Sequence, residues 1–352
     1  MKVAVLVSGG VDSSVALRLL KDLGHEVHAF YLKIWLEDEI SFLNECPWED
    51  DLKYVREVCR QADVPLQIVP MQKEYFDTVV NYTIKEVKAG RTPNPDVMCN
   101  NNIKFGLFMS KIDKSFEKIA TGHYAQIYKR KDGKFILKKS PDPIKDQTYF
   151  LGNLKQAQLK RLTFPIGHLP KTEVRSLAAK YDLPNKDRKD SQGICFLGKF
   201  RYEDFIKHYL GTKKGDLLEY ETGQKLADHE GYYLFTIGQR KGIKLSGGPW
   251  YVVSKNVLKN IVYVSKDYHS ADKKRNTFTV NNFNWFTGKA PIKKSLQIKL
   301  RHGEKVYNCK IKYLNKSKAE IKIDGNDQGI SPGQFAVFYD KEFCLGSALI
   351  AS

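Results

Sequence analysis

At 352 residues and 42 % hydrophobic content, the chain can bury a sizeable core and divide into two or three domains, which excludes a disordered or peptide-sized protein. Its formal net charge of +18 points to a polyanionic partner, attracted by steering and by counterion release. Six scattered cysteines (46, 59, 99, 195, 309 and 344) form no Cys-x-x-Cys pair, which speaks against a zinc site or a secreted disulfide framework. No apolar run approaches the roughly 18 residues that span a bilayer, so no membrane role is expected. Met1-Lys2 leads straight into a buried-strand pattern, from which we expect no signal or transit peptide and a cytoplasmic chain.

Val3 to Val7 is an unbroken apolar run that predicts a parallel strand buried on both faces. Val15, Leu19, Leu20 and Leu23 follow at helical spacing, with Gly24 as the stop. Val27 to Leu32 predicts a second strand. A polar, acidic stretch from Glu37 to Asp51 leads into a helix carrying Leu52, Val55, Val58, Cys59 and Ala62. Leu66 to Val69 predicts a third strand, Phe76 to Val87 a helix, and Ile119 to Thr121 a short strand ending in Gly122-His123. Strands separated by helices imply an α/β doubly wound parallel sheet over residues 1–200, with ligands at the carboxyl ends of its strands. Residues 201–272 are rich in glycine and turns and predict a small mixed central domain. Residues 273–352 carry short strands at Leu296–Leu300, Tyr307–Tyr313, Ala319–Ile323 and Phe335–Tyr339, which suggests a small β-barrel. From Lys273 to Lys322 the barrel has fourteen Lys and Arg against two Glu, the balance of an RNA-backbone binder.

Ser8-Gly9-Gly10-Val11-Asp12-Ser13 joins the first strand to the first helix. Glycines let backbone N–H groups turn toward an anion, and the helix N-terminus adds unpaired donors and partial positive charge. There is no Gly-Lys-Ser/Thr ending, so this is not a Walker loop. Asp12, in the first turn of that helix, is a candidate to meet a divalent cation, through water or directly. A second constellation, Gly90 to Asn100, sets Asp96 and Cys99 behind two prolines, which predicts a stiff, extended loop. Asp96 is a candidate base or base-edge ligand, and Cys99 a candidate nucleophile or acid. A third, Lys189 to Gly198, places Cys195 after Gly193-Ile194.

The loop Ser8–Ser13 resembles the pyrophosphate-binding (PP-loop) signature of the ATP-pyrophosphatase superfamily. Taken with Thr92–Asn100, Ala120–Ala125, Lys145-Asp146-Gln147, Asp190–Gly198 and Thr236–Gly242, it makes nearly the whole chain resemble the bacterial tRNA-specific 2-thiouridylase family (MnmA/TrmU). The resemblance implies that Leu6, Val7, Ser8, Gly9, Gly10, Val11, Asp12 and Ser13 bind ATP, with Leu32 at the adenine and Gly122 close to the nucleotide. It implies that Asn94, Pro95 and Asp96 meet a flipped target uracil. It also implies that His123, Lys145, Asp146, Gln147, Arg301, His302 and Gln334 contact tRNA. His302 stands where the family often has tyrosine.

The implied reaction is ATP-dependent adenylation of the C2 oxygen of a wobble uridine, in lysine, glutamate or glutamine tRNAs. Sulfur transfer follows from a persulfide on Cys195, with Cys99 as its partner and a transient Cys99–Cys195 disulfide left behind. ATP, accompanied by Mg2+, is a substrate; no tightly bound metal or organic cofactor is expected. A cytosolic cysteine desulfurase or sulfur-relay protein is the expected donor. Two other readings stay open on the residues alone: a small-molecule adenylating ligase of the argininosuccinate- or GMP-synthetase kind, and a non-catalytic RNA-binding protein.

Overall fold

The computed structural model describes residues 1–34, 47–190, 201–270, 275–293 and 295–351. Lys2–Leu6 forms strand β1, and helix α1, Val11–Asp22, follows from its carboxyl end. Alternation along β1 sends Ala4 and Leu6 into one core cluster with Phe30 and Ile119. Val3, Val5 and Val7 enter another with Val15 and Leu17. A strand covered on both faces has no polar side, which is why the run is apolar throughout.

Four further strands complete a parallel sheet: β2 (Glu26–Lys33), β3 (Leu66–Pro70), β4 (Lys118–Ala120) and β7 (Leu162–Thr163). Between β4 and β7 the chain makes an antiparallel hairpin, β5 (Ala125–Lys129) and β6 (Phe135–Lys139). The sheet order is β3-β2-β1-β4-β7, so the winding reverses between β1 and β4. Ligands bind at such a switch point because the loops diverge there and leave a crevice. Helix α2, Pro47–Ala62, covers one face. Its predicted buried residues Leu52, Val55, Val58, Cys59 and Ala62 are each no more than 5 % exposed.

A helix over Tyr202–Leu210 opens the central module. Strands β8 (Gly215–Glu219), β9 (Lys225–His229), β10 (Tyr251–Asn256) and β11 (Ile261–Ser265) then form a sheet of order β10-β11-β8-β9. The last module comprises β12 (Thr277–Trp285), β13 (Ser295–Lys299), β14 (Tyr307–Tyr313), β15 (Lys318–Ile323), β16 (Phe335–Asp340) and β17 (Phe343–Ile350). These six strands close on themselves through β12–β17 pairing, and Leu296, Ile298, Ile321 and Phe338 fill the interior.

The hairpin β5–β6 joins this barrel sheet: Phe343 pairs with Lys138, and Cys344 with Leu137. The sequence analysis predicts no strands there, although Asp132-Gly133, with Gly133 at φ +79°, is a hairpin turn signal. Among the described residues no helix is long and apolar enough to cross a membrane.

Candidate functional site

The stretch after β1 leaves helix α1 open at its N-terminus. Gly10 is the N-cap and has no side chain to accept from the first-turn N–H groups, which face the loop. Gly9 sits at φ +76°, where a side chain is strained, and a Cβ there would lie 2.7 Å from the Asp51 carbonyl oxygen. The Gly9 carbonyl oxygen accepts from Asn185 Nδ2 (2.8 Å) and from Arg188 Nη1 (3.1 Å). Two donors on one carbonyl fix the Gly9–Gly10 peptide plane, and with it the direction of the Gly10 N–H. Ser13 Oγ accepts from the Ser8 N–H at 3.2 Å and donates to the Gly10 carbonyl at 3.1 Å, which closes the loop on itself. Gly122, at the end of β4, backs onto this turn: a Cβ there would lie 2.6 Å from Asp12 C and Ser13 N. Leu32, at the end of β2, is half-buried at the same edge of the sheet.

Asp12, in the first turn of α1, accepts from Tyr124 OH at 2.8 Å and from Lys171 Nζ at 2.7 Å, both on Oδ1. Lys171 also pairs with Asp190 at 2.7 Å, and Asp190 in turn takes Lys145 (2.6 Å) and Arg175 (2.7 Å). Burial raises the Asp190 pKa, but the bonds from Lys145 and Lys171 outweigh it and hold the carboxyl at about 2. Burial and the neighbouring Asp12 charge push the Tyr124 phenol far up, so it serves as a hydrogen-bond donor. Gln147 is tied to Tyr124 by two bonds, Tyr124 N–H to Gln147 Oε1 (3.0 Å) and Gln147 N–H to the Tyr124 carbonyl (2.9 Å).

The second constellation differs from the expected extended loop. Chain direction stays extended only to Asn94; Pro95–Met98 is a short helix capped by Asn94 Oδ1 on the Val97 N–H at 3.2 Å. Proline at the first helical position starts a helix rather than preventing one. A π-helical segment, Cys99–Leu107, continues it. Asp96 and Cys99 are thus three residues apart on one helical face. Asp96 is half-buried and Cys99 is 1 % exposed. Cys195 lies outside the described residues, as does Cys46. Cys59, Cys309 and Cys344 are buried, and burial pushes their thiols up to about 11, 12 and 12, as befits packing residues.

The barrel grips this constellation. Gln334 Nε2 donates to the carbonyls of Thr92 (3.1 Å) and Pro93 (2.8 Å), while its Oε1 accepts from Asn94 Nδ2 (3.1 Å). The Thr92 N–H donates to the Pro332 carbonyl at 2.8 Å. Arg301 pairs with Asp327, and the His302 ring lies 4.7 Å from that of Phe150 at 30°.

Residues 1–199 match the family described as tRNA methyl transferase HUP domain, 203–266 its PRC-barrel domain, and 275–350 the aminomethyltransferase beta-barrel domain. The chain is 46 % identical to the tRNA-specific 2-thiouridylase MnmA of Parabacteroides distasonis over 99 % of both chains. It is 44 % identical to the tRNA-specific 2-thiouridylase MnmA 1 of Bacteroides thetaiotaomicron, again over 99 % of both. The chain belongs to the tRNA-specific 2-thiouridylase family.

Within this 2-thiouridylase the residues carried over by resemblance fall into three groups. Ser8 to Ser13, Gly122 and Leu32 gather at the switch point. Asn94, Pro95, Asp96 and Cys99 form the capped helix held by Gln334. Lys145, Asp146 and Gln147 lie between these groups, but only Lys145 and Gln147 are part-exposed. Asp146 is 2 % exposed and pairs with Lys299 of β13 at 3.0 Å, so its carboxylate faces the interior. The His123 imidazole packs between Phe105 and Phe164 and bonds to Thr121 Oγ1 at 2.7 Å; burial, helped by Lys104, pushes it down to about 3. It stands neutral at the mouth of β4. Sequence reading gave no role to Tyr124, Lys171, Asn185 or Arg188. One signal existed for Lys171: a cation at the first position of the helix Lys171–Lys180, where the helix dipole disfavours it, calls for nearby anions.

Proposed function

We propose that this 2-thiouridylase activates C2 of the wobble uridine of tRNA with ATP and replaces the C2 oxygen by sulfur. The observation that carries the reading is the likeness to a tRNA-specific 2-thiouridylase at 46 % identity over 99 % of both chains. The open phosphate loop at the switch point and the Asp96–Cys99 helix are consistent with it. The uridine C2 oxygen attacks the α-phosphorus of Mg2+-bound ATP, an O–P bond forms, and pyrophosphate leaves. A persulfide on Cys195, loaded by a desulfurase or relay protein, supplies the sulfur. Its terminal sulfur bonds to C2 and the C2–O bond to AMP breaks. Cys99 then attacks Cys195 Sγ, leaving the electron pair on the thiocarbonyl sulfur and forming a Cys99–Cys195 disulfide. Alternatively, Cys99 attacks first, and the released sulfide adds to C2. A two-electron thiol reductant, abundant in the cytosol, restores both cysteines.

In this reading Asn94, Pro95 and Asp96 hold the extruded base, with Asp96 on its edge. Lys145, Gln147, Arg301 and His302 face the RNA, and lysine, glutamate and glutamine tRNAs are the acceptors. The test is sulfur transfer to unmodified tRNA by wild type, Cys99→Ser and Cys195→Ser, with a protein persulfide as donor. Loss of thiolation in both variants is expected. Normal thiolation in both overturns the two-cysteine step, and wild-type thiolation confined to a position other than the wobble base overturns the substrate.

A further inference from the structure

An α-helix bonds each N–H to the carbonyl four residues back, and a helix that reaches to the fifth is wider and rare. The segment Cys99–Leu107 keeps this wide register over nine residues, and at its end the Phe108 N–H still bonds to the Ile103 carbonyl, five residues back. It begins at the cysteine nearest the base-binding loop. The turn before it, Pro95–Met98, is fixed separately, by the Asn94 cap and by Gln334 of the barrel.

Two features hold the wide register, and both converge on the Asn101 carbonyl. Gln158, in the helix Gln156–Arg161, is 7 % exposed. Its Nε2 donates to the Asn101 carbonyl at 2.8 Å and to the Phe105 carbonyl at 2.9 Å, while its Oε1 accepts from the Lys155 N–H at 2.7 Å. A side-chain amide has two N–H donors, and both are spent on this segment. Turned over, the amide would set its oxygen against two carbonyl oxygens. Gly106 lies across the same turn: a Cβ there would stand 2.8 Å from the Asn101 carbonyl oxygen, five residues back. Glycine leaves that space open, and it favours an ordinary α-helix less than alanine does by about 1 kcal/mol. Collapse to the α register would displace one end of the segment against the other by the offset of one residue, about 100° and about 1.5 Å. Because the Asp96 turn is tied to the barrel, Cys99 takes up that displacement.

We infer that Gln158 and Gly106 are positioning residues for Cys99, one by bonding the Asn101 carbonyl and the other by leaving it room. Together they hold the wide register that sets the direction of the thiol. The inference rests on Cys99 taking part in the sulfur step of the proposed function.

Single-turnover reactions of the full-length protein with ATP, unmodified tRNA and a protein persulfide donor test it, with pyrophosphate release and thiolation followed separately. Gln158→Met is expected to slow thiolation at saturating tRNA about 10- to 100-fold, while pyrophosphate release and the tRNA concentration for half-maximal rate stay within about threefold, because the thiol moves and the Asp96 turn does not. Gly106→Ala favours an α-helix by propensity and is expected to show the same split; it serves if Gln158→Met does not fold. Cys99→Ser is run beside them. Unchanged thiolation in the two variants while Cys99→Ser is inactive overturns the inference, and so does an equal fall of pyrophosphate release and thiolation. Normal thiolation by Cys99→Ser overturns the two-cysteine reading itself.

Discussion

Asn94 and Gln334, 240 residues apart, are joined by a hydrogen bond of 3.1 Å from Asn94 Nδ2 to Gln334 Oε1. The same glutamine amide donates to the two carbonyls just before Asn94. The barrel therefore sets the position of the loop that leads into Asp96 and Cys99. Gln334→Ala removes these bonds, each worth about 1 kcal/mol, and frees the loop. We expect kcat/KM for tRNA thiolation to fall about 10- to 100-fold, since small misplacements near reacting atoms have effects of that size. ATP affinity should not change. Single-turnover thiolation beside ATP binding checks this, and a parallel loss of both contradicts it.

Gly122→Ala places a methyl group 2.6 Å from the backbone of Asp12 and Ser13. Neither neighbour is a flexible side-chain tip, so the start of α1 must move. ATP affinity is expected to drop about tenfold or more. Fluorescence titration with a labelled ATP analogue measures it; an unchanged affinity shows that the turn does not hold nucleotide.

The Asp146–Lys299 pair is buried on both sides, with side chains 2 % and 4 % exposed. Removing one partner strands a charge, at a cost of about 3–5 kcal/mol. Asp146→Asn or Lys299→Met alone is therefore expected to lower the urea midpoint clearly. The double variant Asp146→Asn/Lys299→Met should be less destabilised than the two single losses combined. Strict additivity contradicts this account of the pair.

His123 stays neutral in the fold because burial pushes its imidazole down to about 3, whereas the unfolded chain binds a proton near pH 6.5. Between these values the unfolded state holds more protons, so stability falls as the pH drops from about 6.5 toward 3. The slope is at most about 1.4 kcal/mol per pH unit. Urea midpoints at pH 7.5 and 5.5, for wild type and His123→Gln, read this contribution. The variant should lose less stability on acidification; an equal loss assigns the effect to other groups.

Lys310, Lys312, Lys318 and Lys322 are exposed along β14 and β15. Where they meet RNA phosphates, the logarithm of tRNA affinity falls linearly with log salt, and Lys310→Gln/Lys312→Gln reduces the slope by about one unit or more. Filter binding over a salt series gives both numbers, and an unaltered slope removes these lysines from the RNA face.

Local chemistry made much of the protein legible. Ser8 to Ser13 announces a phosphate turn because glycine conformations and a helix start are set within a few residues. The spacing of Leu52, Val55, Val58, Cys59 and Ala62 announces a buried face for the same reason. The loop at Gly90–Asn100 was harder to read, because proline permits both an extended chain and a helix start, and the Asn94 cap decides between them. The hairpin β5–β6 carried its turn signal, but nothing in its sequence says that its partner is β17.

The sequence by itself determined the parallel sheet of alternating strands and helices, the glycine turn that leads into α1 and the net charge of +18. These follow from residue type and short-range periodicity, which act within one element. Only the tertiary structure decided that Lys171 answers Asp12, that Asn185 and Arg188 hold the Gly9 carbonyl, and that Gln334 positions Asn94. Each of these contacts is a hydrogen bond or an ion pair between segments far apart in the chain. Such bonds need donor and acceptor at about 3 Å, a condition set by packing and not written in any local pattern.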